Sequence, residues 1–319
     1  MPRDGVVIVA FGGPDCLDAV GPFMCSLMGR EPSPELVART RARYEQIGGA
    51  SPLHATARAL ATSVGAALAE SGEPLPVEVG MRYSQPLIAD AVESLASQGV
   101  ERIVMVSLSP YEAAVTHGEY RSALETAAKP RGIEVLDAPV LSAIPAFIDL
   151  QTQAAEAALA RAGDSAPIVF SAHSLPRADV EADDSYVRGL ESAAAEVASR
   201  LGLAAGSRGE ALPGIEAFGT PDGERPWLVA YQSKGARGGE WLDPDLDDVI
   251  DAVAAQDLPG IVVVPLGFAT DHMETCYDID VVSAGRAAER GIAFVRSALP
   301  NADPVLAADI ARAVRETLG

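Results

Sequence analysis

A repeated grammar of strand and turn constrains this chain most. Short β-branched runs, such as Ile168-Val169-Phe170 and Ile261-Val262-Val263-Val264, are apolar at every position rather than at every second one. Strands of that kind are buried on both faces, as the strands of a parallel sheet are. Each run breaks into a turn that delivers polar, titratable residues: Ser171 to Pro176 after the first, Asp271 to Glu274 after the second. Open α/β sheets gather their chemistry outside the carboxyl ends of their strands. His173 and Glu274 are therefore the leading candidates for a site. An imidazole and a carboxylate converging there can bind a divalent metal, move protons, or do both.

Strand-like segments at 5–11, 76–81, 102–108 and 133–139 alternate with helical periodicity, as in the Ala- and Leu-rich 53–71 with Gly72 close behind. A second series follows at 167–171, 227–231, 260–265 and 292–296, with helices expected near 181–201, 245–256 and 273–290. This alternation predicts an α/β fold of two doubly wound, Rossmann-like domains, each with a parallel four-stranded sheet. The boundary is expected near 140–147, giving an N-terminal domain over 1–145 and a C-terminal domain over 146–301 that carries His173 and Glu274. A last helix over 302–319, opened by Asp303 as a cap and by Pro304, is free to return to the first domain. Residues 203–226 hold five Gly and three Pro without periodicity, and read as a disordered insertion rather than a lid.

Composition removes several classes. With 45 acidic against 24 basic residues, the net charge of −21 argues against nucleic acid as a partner. No apolar stretch approaches the ~20 residues that span a bilayer, and the opening strand is too short for a signal peptide. A cytoplasmic protein, working as a monomer, is the expectation. Cys16, Cys25 and Cys276 are scattered, fit a reducing compartment, and cannot build a four-cysteine cluster.

The strings FGGP (11–14), RYEQIGGASPL (43–53), MRYSQP (81–86), SAHSLP (171–176), YQSKGARGGEWL (231–242) and PLGFATDHMETCYDID (265–280) occur in this order. Together they resemble the ferrochelatase family, from about Val6 to the C-terminal helix. The resemblance implies a chelatase-like fold and insertion of Fe2+ into a porphyrin in haem biosynthesis, with coproporphyrin III favoured over protoporphyrin IX. It implies Fe2+ and porphyrin as substrates, no required cofactor and no iron–sulfur cluster. Carried over residue by residue, it makes His173 the acceptor of pyrrole protons and an iron contact, and Glu274 the second essential group. Asp278, four residues on, becomes a secondary metal or proton-relay carboxylate. Arg43, Tyr44 and Ser51 match porphyrin-contacting positions, while Phe11 and the stretch from Pro22 to Met28 match apolar surface for the macrocycle.

This chain also departs from some relatives. Phe11 stands where certain bacterial members have an iron-ligating tyrosine, and Val282 stands where others extend the acidic ridge. Plainer readings remain for single residues: Asp278 as part of a solvated face, Arg43 as an ion-pair partner on its own helix, Met28 as core. His272 reads as a turn residue with a minor role, and His54 and His117 read as ordinary. Two rival functions share the pattern: a cobalt or nickel chelatase for another tetrapyrrole, and a non-enzymatic haem- or metal-binding protein.

Overall fold

The computed structural model describes residues 3–163, 166–203, 226–235 and 238–319. The expected insertion over 203–226 lies outside the described residues except at its two ends. The chain divides into two compact units. Unit 1 comprises Met1–Ala146, Thr270–Met273 and Pro300–Gly319; unit 2 comprises Phe147–Ala269 and Glu274–Leu299.

Unit 1 is built on β1 (Asp4–Ala10), β2 (Val77–Met81), β3 (Arg102–Ser107) and β4 (Glu134–Asp137), all parallel and ordered β2-β1-β3-β4. Successive side chains of a strand point to opposite faces. Val7 and Val9 of β1 accordingly pack with Ile103 and Met105 of β3 beneath Val92, Leu95 and Leu124 of two covering helices. Val6 and Ile8 are equally buried on the other face. There the helix Leu53–Ser71 and the last helix, Pro304–Leu318, lie against each other and the sheet. Arg315 fastens that last helix, its Nη2 donating to Leu68 O at 2.9 Å. At the amino ends of the strands, Arg102 donates twice to Asp4, at 2.7 and 3.0 Å. Such a fork is a structural pairing, and it stands at the end of the sheet opposite the turns described below.

Unit 2 repeats the design with β5 (Ile168–His173), β6 (Trp227–Gln232), β7 (Gly260–Val264) and β8 (Ala293–Arg296), parallel and ordered β6-β5-β7-β8. Val169, Leu228, Ala230, Ile261 and Val263 share one core with Val249, Ile250 and Val253 of the helix Leu246–Ala255, and with Ile279 and Ala287. The expected α/β class and paired four-stranded parallel sheets are thus observed. The likeness of the units extends to a detail of backbone. In unit 1 Met81 N donates to Pro86 O at 2.7 Å, and in unit 2 Tyr231 N donates to Pro244 O at 2.8 Å. Each contact closes the loop that leaves the corresponding edge strand.

Two expectations are corrected. β5 does not stop at 171: the ladder with β6 continues through Ala172↔Tyr231 to His173↔Gln232, so His173 is the last residue of the strand rather than part of the turn. The continuous helix expected at 273–290 is divided into a π-helix, Glu274–Ser283, and an α-helix, Ala284–Glu289. A π-helix bonds i to i+5 and so widens each turn. Thr275, Ile279 and Ser283, four residues apart, are its buried positions, and Ile279 anchors it in the core of unit 2.

Candidate active site

Strand period dictates where His173 points. Val169, Ser171 and His173 share one face of β5, and Val169 packs in the core that also holds Ile279 of the π-helix. His173 therefore emerges toward the first turn of that helix, where Nδ1 lies 3.0 Å from Glu274 Oε2. The register partner of His173, Gln232, sits on the matching face of β6, and its Nε2 donates to the backbone oxygen of Glu274 at 3.2 Å. The next residue, Ser233, takes a positive φ of 60° and donates from Oγ to Asp278 Oδ2 at 2.5 Å. The end of β6 thus braces the π-helix at both of its candidate carboxylate residues.

The strand end itself is held from several sides. Tyr186 Oη donates to His173 O at 2.9 Å, and Ser174 N donates to Gln232 O at 2.8 Å. The turn after β7 presses on β5 through Gly267, whose N donates to Ser171 O at 2.9 Å. A β-carbon at 267 would stand 2.5 Å from Ala172 Cβ and 2.6 Å from its Cα, so only glycine fits.

These contacts set the chemistry of the pair. A carboxylate oxygen accepts, so Nδ1 of a neutral His173 carries the proton and the lone pair resides on Nε2. Desolvation works against an imidazolium here; the charge of Glu274, its hydrogen bond and the charge of Asp278 outweigh it, and His173 titrates above the ordinary histidine value. About a third of each side chain remains exposed, 33% for His173 and 29% for Glu274, which leaves both reachable by a ligand. The arrangement can take up a proton at Nε2, stabilise the resulting cation through Glu274, or offer a metal one nitrogen with carboxylate oxygen nearby. Among the described residues no group of three or more His, Cys, Asp and Glu side chains is arranged to hold a metal ion.

The remaining candidates lie in unit 1. Phe11, just beyond β1 and 38% exposed, stacks at a tilt on Tyr83 with centroids 4.8 Å apart and meets Phe23 edge-on at 6.4 Å. The Arg82 guanidinium lies 5.0 Å from the Tyr83 centroid. Tyr44 is buried in one apolar cluster with Val20, Phe23 and Met24, and Met28 packs at its border. Leu27, on the same helix, is 41% exposed. Adjacent on their own helix, Arg43 is exposed while Tyr44 is buried. Ser51 is buried in the turn after Gly48 and Gly49, both of positive φ, and its N donates to Pro14 O at 2.8 Å. The structure therefore joins His173, Glu274 and Asp278 in unit 2 and sets Phe11, Tyr44, Ser51 and Met28 around the FGGP turn of unit 1. His272 caps its own turn, with Nδ1 3.1 Å from Thr270 O. Sequence reasoning passed over Gln232 and Ser233 as individuals, although the string YQSK contains both.

This architecture of two parallel α/β sheets is shared with solved chelatases. The chain is similar in structure to CbiX, the terminal enzyme of sirohaem biosynthesis in denitrifying bacteria, with a TM-score of 0.53 and 16% identity over 99% of this chain and 100% of that one. It is similar also to the sirohydrochlorin chelatase SirB from Bacillus subtilis subspecies spizizenii, solved with cobalt, with a TM-score of 0.51, 14% identity, and 99% and 95% of the chains covered. Sequence narrows the class: the ferrochelatase family model matches residues 3–318, and the chain belongs to that family. A coproporphyrin III ferrochelatase of Propionibacterium freudenreichii is 32% identical over 95% of this chain and 84% of that protein. A ferrochelatase of Herpetosiphon aurantiacus is 31% identical over 95% of each.

Proposed function

We propose that this protein inserts Fe2+ into coproporphyrin III, releasing two pyrrole protons for each metal ion incorporated. The observation that carries the reading is the His173–Glu274 pair at 3.0 Å on a strand end, in a chain of the ferrochelatase family. His173 Nε2 accepts a pyrrole proton, and Glu274 both fixes the tautomer and stabilises the imidazolium that forms. Asp278, held by Ser233 further along the π-helix, assists as a secondary metal or proton group. Arg43, Tyr44, Ser51, Phe11 and Met28 are assigned to the porphyrin, with charge for its propionates and apolar surface for its ring. Fe2+ and the porphyrin are substrates, and the reading includes neither an organic cofactor nor an iron–sulfur cluster. No helix among the described residues is long and apolar enough to cross a membrane. A monomer acting in the cytoplasm completes the proposal.

Coproporphyrin III is preferred because relatives of that name, in Propionibacterium freudenreichii and in a Mycobacterium species, are each 32% identical to this chain. The test is anaerobic metal insertion with coproporphyrin III and protoporphyrin IX in parallel, with Fe2+, Co2+ and Ni2+ each supplied. Steady turnover with Fe2+ and faster reaction of coproporphyrin III is the expected result. Faster cobalt or nickel insertion would favour the other chelatase reading, and formation of a single equivalent of complex would reveal a binding protein.

A further inference from the structure

His54 enters none of the chemistry above, yet it is 4% exposed and occupies the second position of the helix Leu53–Ser71. Its Nε2 lies 2.6 Å from Gly13 O and 3.2 Å from Ser84 Oγ. A carbonyl oxygen only accepts, so Nε2 carries the proton. Nδ1 is then a buried acceptor with no hydrogen-bond partner. Leaving such an atom unpaired is costly, and the bond on the opposite nitrogen has to offset it. Ser84 Oγ in turn accepts from Gly13 N at 3.1 Å. One imidazole thus links three segments: the turn leaving β1, the loop leaving β2, and the start of the helix that follows the GGASP turn.

Those segments interlock without spare room. A β-carbon on Gly12 would stand 2.5 Å from Ser84 Oγ, and one on Gly13 would stand 2.8 Å from Ser51 Cβ. Tyr83 N donates to Phe11 O at 3.0 Å, and Ser51 N donates to Pro14 O at 2.8 Å. Phe11 and Ser51, both assigned to the porphyrin, and Tyr83, on which Phe11 stacks, are therefore all within one or two residues of a group bonded to, or packed beside, the His54 clamp.

We propose that His54 is a positioning residue for porphyrin binding, its Nε2–H holding the Gly13 carbonyl so that buried Ser51 and the Phe11–Tyr83 pair keep one fixed arrangement. This rests on the proposed function, because it takes the unit 1 surface as the porphyrin's. Gln and Asn separate the bond from mere polarity: the Gln amide nitrogen reaches the place of Nε2, whereas the Asn nitrogen reaches only that of Nδ1. Both variants are compared with wild type by coproporphyrin III fluorescence quenching without metal, and by steady-state KM for each substrate. His54→Asn is expected to weaken porphyrin binding and raise its KM by roughly tenfold, as expected for one lost hydrogen bond. The kcat and the KM for Fe2+ should stay within about twofold, because His173 and Glu274 belong to unit 2. His54→Gln should recover most of the binding. Should His54→Asn not fold, Ser84→Ala, which removes the second partner, is expected to show the same loss in milder form. If wild type binds porphyrin and the folded variants bind it equally well, the inference alone is overturned. If wild type binds no porphyrin, the functional reading falls and the inference with it.

Discussion

Met81 and Tyr231 occupy the same place in two copies of one scaffold, each donating to a proline carbonyl that closes the loop after its strand. In unit 1 that loop is residues 82–85, and in unit 2 it is residues 233–243. The shorter loop contributes Tyr83 to an aromatic face and Ser84 to the His54 clamp. The longer one begins with Ser233, which braces Asp278, directly after Gln232 at the end of β6, which braces Glu274. At the central strands the contrast sharpens: β1 leads into Phe11 and two glycines, β5 ends on His173. One topology thus carries an apolar, shape-defined surface in unit 1 and a titratable pair in unit 2. The strand order fixes where side chains emerge, and the loops decide which chemistry emerges there.

His173→Ala gives the largest expected effect and the most direct way to break this division of labour. General acid–base groups are worth on the order of 10²–10⁴ in rate. Anaerobic Fe2+ insertion should fall by at least that range, with coproporphyrin III affinity within about twofold of wild type. Near-normal turnover would strip unit 2 of its assigned chemistry.

Glu274→Gln follows, with a loss of about 10² in kcat and a change in pH dependence. Glu274 and Asp278 together raise the His173 pKa against desolvation. Activity requires the neutral ring, so wild-type kcat/KM should decline as pH falls through a value above 6.5. With the carboxylate gone, that acid limb should move to lower pH. Stability runs the other way: the pair's contribution is fully present below the unfolded histidine pKa and is lost as pH rises through the folded one. Thermal melts at pH 5.5 and 8.5 should show Glu274→Gln more strongly destabilised relative to wild type at the lower pH.

Asp278→Asn and Ser233→Ala test the reach of the π-helix. Each is expected to cost about tenfold or less in turnover at saturating iron, consistent with loss of a single charge-assisted bond. A larger loss at Asp278 than at Glu274 would exchange their roles. Phe11→Leu should do least, raising the porphyrin KM about twofold through lost aromatic contact. The resonance Raman spectrum of bound ferric product should be unchanged by this variant and altered by His173→Ala. A phenolate signature in wild type would place a tyrosine on the iron and contradict the reading of Phe11.

Much of this was legible in the chain. Runs such as Val6–Val9 and Ile261–Val264 announce parallel strands because burial on both faces leaves no polar alternation to hide them. His173 and Glu274 stood out through strand-then-turn grammar and family strings. The remainder depended on facts that periodicity does not encode. The positions that prove buried, Thr275, Ile279 and Ser283, include two hydroxyl residues and a spacing of four that suits an α-helix as readily as a π-helix, so the wider turn was invisible. The extension of β5 to His173 depended on its register with β6, a strand more than fifty residues away. Ser233 adopts positive φ without the glycine that ordinarily marks it. His54 looked ordinary because its partner, Gly13, is 41 positions distant.

Gly267 leaves one further mark on the molecule. Its contribution to the site is a missing atom, for even the smallest side chain would collide with Ala172, the neighbour of His173. The position has no room for a side chain although it touches neither proton nor metal in the proposed reaction. Alanine there would be a one-carbon insertion delivered directly to the backbone that aims the imidazole. Surveys that score residues by the groups they carry would pass over such a position, and random mutagenesis would find it early.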